Sequence, residues 1–291
     1  MTTRLKLLII IMVLLGIYTA REYWMRNYAN RITVETAHYT ITSTATPPQT
    51  ILVGESVESL YTAYTAFFKG MIPLKGNQDK LKLRLFRDKQ EFSCYNKSSS
   101  WAEAFYKYPC CYAYYPEGAP NPYHWMIHEG THQLNNEVAH FKIEKWINEG
   151  LASYYGTSKI KEGKLLPGQI DINTYPIWWL PSLPLSGDIQ EDIKSGRIIP
   201  LRSLITGNGG PDFNKEFNLY YMHYWSLSHF LLRYNGGQYV EGYKKTMADG
   251  GSLESFEKRI GPIDKIQSKW YNYLHQKVLE AKVMQKKVKK P

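Results

Sequence analysis

The sequence contains few cysteines and no low-complexity run, and each shortage excludes a class of protein. None of the three cysteines, Cys94, Cys110 and Cys111, has the spacing of a zinc finger. The chain of 291 residues is 43% hydrophobic and 14% aromatic, which predicts a folded globular protein rather than a disordered one. We find no internal repeat and no RNA- or DNA-binding motif, so we expect no nucleic-acid partner.

Two states of the cysteines are compatible with the sequence. One is a disulfide from Cys94 to Cys110 or Cys111, which leaves an odd thiol. Adjacent residues of a strand point to opposite faces, so only one of Cys110 and Cys111 can readily face Cys94. The other state is three buried thiols.

The net charge of +10 comes mainly from the two ends of the chain. Arg4 and Lys6 precede an apolar run, and five lysines lie in the last ten residues: Lys282, Lys286, Lys287, Lys289 and Lys290. Without these seven residues the charge is +3, which indicates no polyanionic partner. We expect a solvated basic tail over 279–291, with contact to anionic lipid as the alternative.

One long apolar run, from Leu7 to Ala20, follows the basic lead, as in a secretory signal. Tyr18 is bulky where a cleavage site needs a small residue before Ala20. We therefore expect an uncleaved signal anchor over residues 1–24, with a cleaved signal peptide as the alternative. The run is short for a membrane span of roughly 17–25 residues, and Arg21, Arg26 and Arg31 follow it closely, so charge does not decide the orientation.

The rest of the chain reads as strands followed by helices, which predicts an α+β fold. Alternating patterns predict strands over 38–45, 80–88 and 110–118, with a helix over 53–71 between the first two. We expect a β-rich part over 25–118 and a helical part over 119–278. Its helices are expected from Asn121-Pro122 to about Val138, over 144–155, over 218–234 and in two closing segments, with a long surface loop over 164–200.

The segment "YHWMIHEGTHQL" (123–134) contains the pattern His128-Glu129-x-x-His132. On a helix, residues four apart lie one turn above each other on one face, so both imidazoles can reach one metal ion. Zinc is the usual metal for two histidines and a carboxylate. Glu129 has the position of the glutamate that polarises a water molecule and shuttles its proton in metallopeptidases.

A catalytic zinc site needs a third protein ligand and an open fourth position. His124 is two turns from His132, too far to share an ion. The pattern HExxHxxGxxH fails, because Val138 stands where it requires a histidine. Glu149 in "KWINEGLASYYG" is the best third ligand, since its small neighbours Gly150 and Ser153 would let its helix pack closely against the first.

The segments "HWMIHEGTHQL" and "WINEGLASYYG" resemble the gluzincin metallopeptidases, and more narrowly the peptidase MA-like group of extracytoplasmic bacterial proteins. Weaker likeness extends over roughly residues 35–275, through "HYTITSTA", "KLRLFRDKQEF" and "YWSLSHFLLRYNGG". The resemblance implies a zincin-like fold, zinc ligands His128, His132 and Glu149, and Glu129 as the general base. It also implies a bacterial membrane protein with an extracytoplasmic, periplasmic catalytic domain, or a secreted one if the signal is cleaved.

Gluzincins often stabilise the oxyanion with a Tyr or His from a later helix. By this resemblance we assign that role to Tyr221 in "LYYMHYWSLSHF". Tyr220, His223 and Tyr224 are close alternatives. For each of the four residues, a place in the aromatic core is an equally good interpretation.

The sequence thus predicts a membrane-anchored zinc metallopeptidase that acts on a peptide or protein. The first alternative is a non-catalytic protein of the same fold that binds a peptide or glycan through Trp178 and Trp179. The retained base, Glu129, favours the enzyme. The second alternative, a structural zinc site, would need a fourth protein ligand, and no Cys or His is suitably placed.

Overall fold

The computed structural model of the protein describes residues 3–27, 31–72, 79–96 and 102–288. The chain begins with a helix, α1 (Thr3–Asn27), that extends beyond the apolar run at both ends. Its first 21 residues, Thr3–Tyr23, are long and apolar enough to cross a membrane, and none of that stretch is buried in the protein. A signal sequence or a membrane span has this length and composition.

A mixed five-stranded sheet follows, in the order β1-β2-β3-β5-β4. The strands β2, β3 and β5 are parallel, whereas the edge strands β1 and β4 pair antiparallel with their neighbours. Two helices accompany the sheet, α2 between β2 and β3 and α3 after β3. The bounds are β1 (Ile32–Glu35), β2 (Tyr39–Ser43), α2 (Pro47–Phe67), β3 (Leu81–Phe86), α3 (Lys89–Tyr95), β4 (Ala104–Lys107) and β5 (Cys110–Tyr114).

Alternation along the strands decides which face of the sheet is buried. In β3, Leu81, Leu83 and Leu85 are almost fully buried, and Cys111 in β5 and Tyr39 in β2 are on the same inner face. Helix α2 packs against this face. Thr46 precedes α2, and its backbone N–H donates to Gln49 Oε1 over 3.0 Å, which satisfies one free donor of the helix start.

The remaining chain is mainly helical and carries a two-stranded sheet of β6 and β7. The core helix α8 packs on α5, and α5 packs on α4. The bounds are α4 (His124–Gln133), α5 (Lys145–Gly156), β6 (Ser158–Lys161), β7 (Lys164–Ile170), α6 (Ile189–Lys194), α7 (Leu201–Thr206), α8 (Phe217–Arg233), α9 (Val240–Ala248), α10 (Leu253–Arg259) and α11 (Ile263–Val288). A π-helical turn, Leu134–Val138, extends α4, and a 3₁₀ helix covers Ile177–Ser182.

The α+β prediction, with a mixed sheet on the N-terminal side, is confirmed. Two local predictions are wrong. Helix α4 begins at His124 rather than after Asn121, because the Asn121 amide is buried and donates to Asp171 over 3.2 Å instead of capping a helix. The segment 164–200 is not one long loop, since it contains β7, the 3₁₀ helix and α6.

The three cysteines are free thiols in this structure. Cys111 is completely buried on the inner face of the sheet, and its Sγ donates to Gln133 Oε1 over 3.4 Å. Burial raises the pKa of the Cys110 thiol to about 11. Of the expected basic tail, Lys289 and Lys290 lie outside the described residues.

Candidate metal centre

Helix α4 places the two histidines of the motif on one face, as the i, i+4 spacing predicts. The His128 and His132 rings lie 4.9 Å apart between centroids, and their Nε2 atoms are separated by 3.2 Å. Both side chains are largely buried, with 8% and 12% of their surface exposed. Two ring nitrogens so close to each other need a shared proton or a shared cation between them.

Helix α5 presents Glu149 to the same point. Its Oε2 lies 3.3 Å from His128 Nε2 and 3.4 Å from His132 Nε2. This oxygen is buried and has no hydrogen-bond partner among the described residues. A buried carboxylate oxygen without a donor is costly, unless a cation satisfies it.

The three atoms form a nearly equilateral triangle that fits a zinc ion. Ligand atoms at about 2.0–2.1 Å from a tetrahedral zinc ion lie about 3.3–3.4 Å from each other. The observed sides of 3.2, 3.3 and 3.4 Å match this value. The residue types, two imidazoles and one carboxylate, are those of a catalytic zinc site that leaves one position open.

A chain of amide hydrogen bonds orients the His132 ring. His132 Nδ1 is 3.0 Å from Asn148 Oδ1, which also accepts from Asn135 Nδ2 over 2.9 Å. The Tyr64 hydroxyl donates to Asn135 Oδ1 over 2.7 Å. This bond identifies the oxygen of the Asn135 amide, and the Asn135 Nδ2–H then identifies the accepting oxygen of Asn148. An Nδ1–H that donates to Asn148 leaves the Nε2 lone pair of His132 pointing at the triangle, as a metal ligand requires.

The charges within the triangle are strongly coupled. Burial opposes ionisation of Glu149, but the positive charge of His132 and the close contacts with both imidazoles outweigh it and hold the pKa of Glu149 below its usual range. Burial likewise disfavours a charged His132, yet Glu149 raises its pKa to about 9. Without a metal the site therefore holds a proton between these groups, and a bound cation would take its place.

Glu129 lies beside the triangle rather than in it. Its carboxylate and the two imidazoles have ligating atoms within 4.8 Å of one another. Two carboxylates thus lie near the histidines, and Glu149 is the better ligand because its distances are shorter and nearly equal. Glu129 faces both cavities that meet at the site, where a substrate and a water molecule can reach it.

Tyr221, from the first turn and a half of α8, closes the site opposite α4. Its ring lies 6.4 Å from the His128 ring, and it lines both cavities. Burial, together with the charges of Glu149 and Glu129, raises the pKa of Tyr221 above its usual range. The hydroxyl is therefore a proton-bearing donor at any physiological pH.

The rivals of Tyr221 point elsewhere. The Tyr220 hydroxyl donates to the backbone carbonyl of Pro211 over 2.9 Å. His223 is completely buried, and its Nδ1 is 2.6 Å from the carbonyl oxygen of Leu219. Tyr224 packs against the Tyr220 and Tyr221 rings and lines neither cavity of the site. Among the four candidates, Tyr221 alone is placed to contact a substrate.

Two cavities meet at His128, Glu129 and Tyr221. The larger, of about 1230 Å³, has a predominantly aromatic lining that includes Phe105, Tyr106, Trp125, Tyr175, Trp178 and Trp179. The smaller, of about 540 Å³, is lined by His132, Glu149 and the polar side chains Asn135, Asn136, Asn148 and Lys142. The site is thus open to solvent on two sides.

Small residues bring α5 close to its neighbours, but not in the way that the sequence predicts. A Cβ at Gly150 would lie 2.2 Å from Ser228 Oγ and 2.8 Å from the carbonyl oxygen of Tyr224, so Gly150 faces α8. Gly156 is the residue that faces α4, with the His128 Cβ at 3.2 Å from its own ideal Cβ. The expectation about Gly150 was wrong because Gly150 and Gly156 lie six residues apart, about 240° around the helix, and only the face with Gly156 meets α4.

Two features of the site do not follow from the sequence patterns above: the contact of Asn148 with His132, and the neutral His124 ring in the larger cavity. Asn148 precedes Glu149 directly, and an amide beside a ligand is a signal that could have indicated a support for His132. His124 lines the larger cavity, and burial lowers its pKa to about 3, so its ring is neutral there.

Neither a protein-family model nor a curated protein matches this chain.

Proposed function

We propose that the protein is a zinc-dependent metallopeptidase of the gluzincin type, in which α4, α5 and α8 form a zincin-like catalytic part. The observation that carries this proposal is the triangle of His128 Nε2, His132 Nε2 and the partnerless Glu149 Oε2. Its dimensions suit zinc, a potential general base lies next to it, and two cavities give access.

Each residue then has a chemical role. When bound, zinc supplies a Lewis acid that makes a water molecule nucleophilic near neutral pH. Glu129 accepts the proton of that water as it attacks the scissile carbonyl, and delivers it to the nitrogen of the leaving amine. The Tyr221 hydroxyl donates a hydrogen bond to the carbonyl oxygen as negative charge develops on it. Asn148 holds the His132 ring in the ligating tautomer.

We extend the proposal to the location of the protein. Helix α1 remains attached as a signal anchor, and the catalytic part lies outside the cytoplasm, in the periplasm of a bacterial cell. The support is the apolar stretch Thr3–Tyr23 and the bulky Tyr18 at the cleavage region. Carbonate-washed membranes should retain the full-length chain, accessible to protease only from the outer side. A soluble product that begins near Arg21 would contradict this.

Metal content and hydrolysis, measured on the full-length protein in detergent, test the function. Wild type should hold one zinc ion per chain and cleave a mixed-sequence quenched-fluorescent peptide library, with activity lost to a chelator and restored by zinc. Glu129→Gln should retain zinc, because the amide is nearly isosteric and the residue is not a ligand. Its kcat should fall by about 10²–10⁴-fold. Unchanged activity in this variant would reject Glu129 as the base.

A non-catalytic binding protein is the second candidate. One observation favours it: Trp178 and Trp179 are 45% and 44% exposed beside the larger cavity, as in surfaces that bind peptides or glycans. Zinc-loaded wild type that binds the peptide library without cleaving it would support this candidate. A structural zinc site is disfavoured, since the ligand cluster contains no cysteine or third histidine among the described residues.

A further inference from the structure

The first strand after α1 starts at the same end of the sheet as the C-terminal ends of the parallel strands. In the strand register, Ile32 pairs with Ser43, Ser43 with Leu85, Leu85 with Ala113, and Ala113 with Ala104. These residues form one row across the sheet. Four strand spacings of about 4.8 Å put Ile32 about 19 Å from Ala104, which lines both cavities. We call the end of the sheet that contains this row of residues the anchor end.

Helix α4 runs away from the anchor end. It follows the C-terminal end of β5, and its last residue, Gln133, donates to the carbonyl oxygens of Lys82 and Pro109 at the opposite end of the sheet. His124 therefore lies toward the anchor end and His132 toward the far end. The larger, aromatic cavity runs along the β4–β5 edge of the sheet, from Lys107 and Tyr108 at the far end to Pro116 and His124 at the anchor end. The smaller, polar cavity reaches the far end beside His132 and does not include His124.

Helix α1 itself lies close to the aromatic cavity. Cα atoms of α1 come within 8 Å of Cα atoms of α3. The last residue of α3, Tyr95, lines the aromatic cavity and stacks on Tyr112 with ring centroids 5.4 Å apart. From Asn27, where α1 ends, to Ile32 the chain can span at most about 18 Å. A bilayer around Thr3–Tyr23 is thus next to the wall of this cavity.

We propose that the aromatic cavity opens at the membrane surface and receives the juxtamembrane segment of a membrane-anchored polypeptide. This inference rests on the proposed peptidase function and names its substrate class. The segment enters from the bilayer through the aromatic cavity, passes His128 and Glu129, and leaves through the polar cavity. The enzyme therefore cleaves close to the membrane in which it is itself anchored.

The chemistry of the two cavities suits such a substrate. A polypeptide segment that emerges from a bilayer is apolar next to the membrane and more polar further from it. Tryptophan and tyrosine side chains are favourable at the interface between lipid and water. Besides Glu129, the charged lining of the aromatic cavity is Glu103 and Lys107, and Glu103 is paired with Lys89. The polar cavity shares Phe105, Tyr106 and Tyr221 with the aromatic cavity, and away from this shared wall it presents amides and Lys142 beside Phe141 and Ile143.

A tethered-substrate assay tests the substrate class. The full-length protein is reconstituted in phosphatidylcholine–phosphatidylglycerol vesicles with the peptide library, either soluble or attached to the bilayer by a palmitoyl chain and a short spacer. Wild type should cleave the attached form about 10²-fold faster at micromolar concentration, because tethering supplies a millimolar effective concentration. A long flexible insertion between α1 and β1 should remove the preference for the short spacer and leave the soluble rate unchanged.

The outcomes separate this inference from the proposed function. If the soluble peptide is cleaved, and bilayer-attached peptides with a short and a long spacer are cleaved at equal rates, the proposed substrate class is wrong and the peptidase function stands. If nothing is cleaved in either form, the function falls and the substrate class falls with it.

A second measurement decides the orientation without any activity. Single dyes are placed on exposed residues that flank β5, at Glu117→Cys near the anchor end and at Tyr108→Cys at the far end. The background carries Cys94→Ser and Cys110→Ser, and the remaining Cys111 is completely buried. Energy transfer to an acceptor on lipid headgroups should be stronger from residue 117 than from residue 108. Equal or reversed transfer would overturn the proposal, and the flexible insertion should abolish the difference.

Discussion

The two cavities that meet at His128 and Glu129 are built from different chemistry. The smaller one has an amide network that orients the His132 ring at the ligand triangle, and hydrogen bonds of 2.7–3.0 Å leave each amide group little freedom. The larger one presents aromatic faces, two of them on exposed tryptophans. Under the proposed function, the polar side of α4 would hold the ion and the aromatic side would accept a chain of variable sequence.

The largest effect is expected on the polar side, from Glu149→Gln. The change replaces an anionic ligand by a weak neutral one and leaves the two imidazoles as the only strong donors, so stoichiometric zinc should be lost. Elemental analysis after dialysis checks this. Glu144→Gln, at the exposed start of the same helix, is the matched control and should keep its zinc. Full occupancy in Glu149→Gln would mean that Glu129 is the third ligand.

Asn148→Ala tests the amide network. It removes the acceptor for both His132 Nδ1 and Asn135 Nδ2, so the His132 ring loses its fixed tautomer. Zinc affinity should fall by about 10–100-fold, the range observed when a metal-bound histidine loses its hydrogen-bond partner. Competition with a chromophoric chelator measures it. Asn148→Asp keeps an acceptor oxygen and should recover most of the affinity, whereas a merely structural role would leave both variants alike.

Tyr221→Phe probes the boundary between the cavities. The variant should retain zinc and lose about tenfold in kcat with little change in KM, because one hydrogen bond to the developing oxyanion disappears. Tyr224→Phe is the control, since Tyr224 lines neither cavity. Equal effects of the two substitutions would assign the loss to packing of α8 rather than to the oxyanion.

The smallest effect is expected on the aromatic side, from Trp178→Ala. A single ring among many aromatic neighbours contributes binding surface, so KM should rise several-fold while kcat and zinc content stay constant. Trp178→Phe should restore most of the affinity. A fall in kcat of the same size as for Tyr221→Phe would break the distinction between an ion-holding side and a substrate-holding side.

Sequence patterns predicted well where the chemistry is local. The strict alternation around Leu81, Leu83 and Leu85 specifies a strand, and it forms one. The separation of His128 and His132 by four residues places two rings on one face of any α-helix. Patterns failed where a distant partner decides. Asn121 reads as an N-cap, but it pairs with Asp171, fifty residues away, and the helix starts three residues later.

Two features follow from the sequence alone, the pair of imidazoles on one face of α4 and the apolar helix before the domain, because helical geometry and hydrophobicity act between near neighbours. The sequence offered Glu149 and Tyr221 only as candidates, and the packing of the helices selects them: Glu149 completes the triangle, and Tyr221 rather than Tyr220 or His223 faces the site. The contact of Asn148 with His132 also comes from this packing. These outcomes depend on how α8 packs on α5 and α5 packs on α4, with Gly150 against α8 and Gly156 against α4. Close packing of three helices is a property of many side chains at once, and no window of the chain contains it.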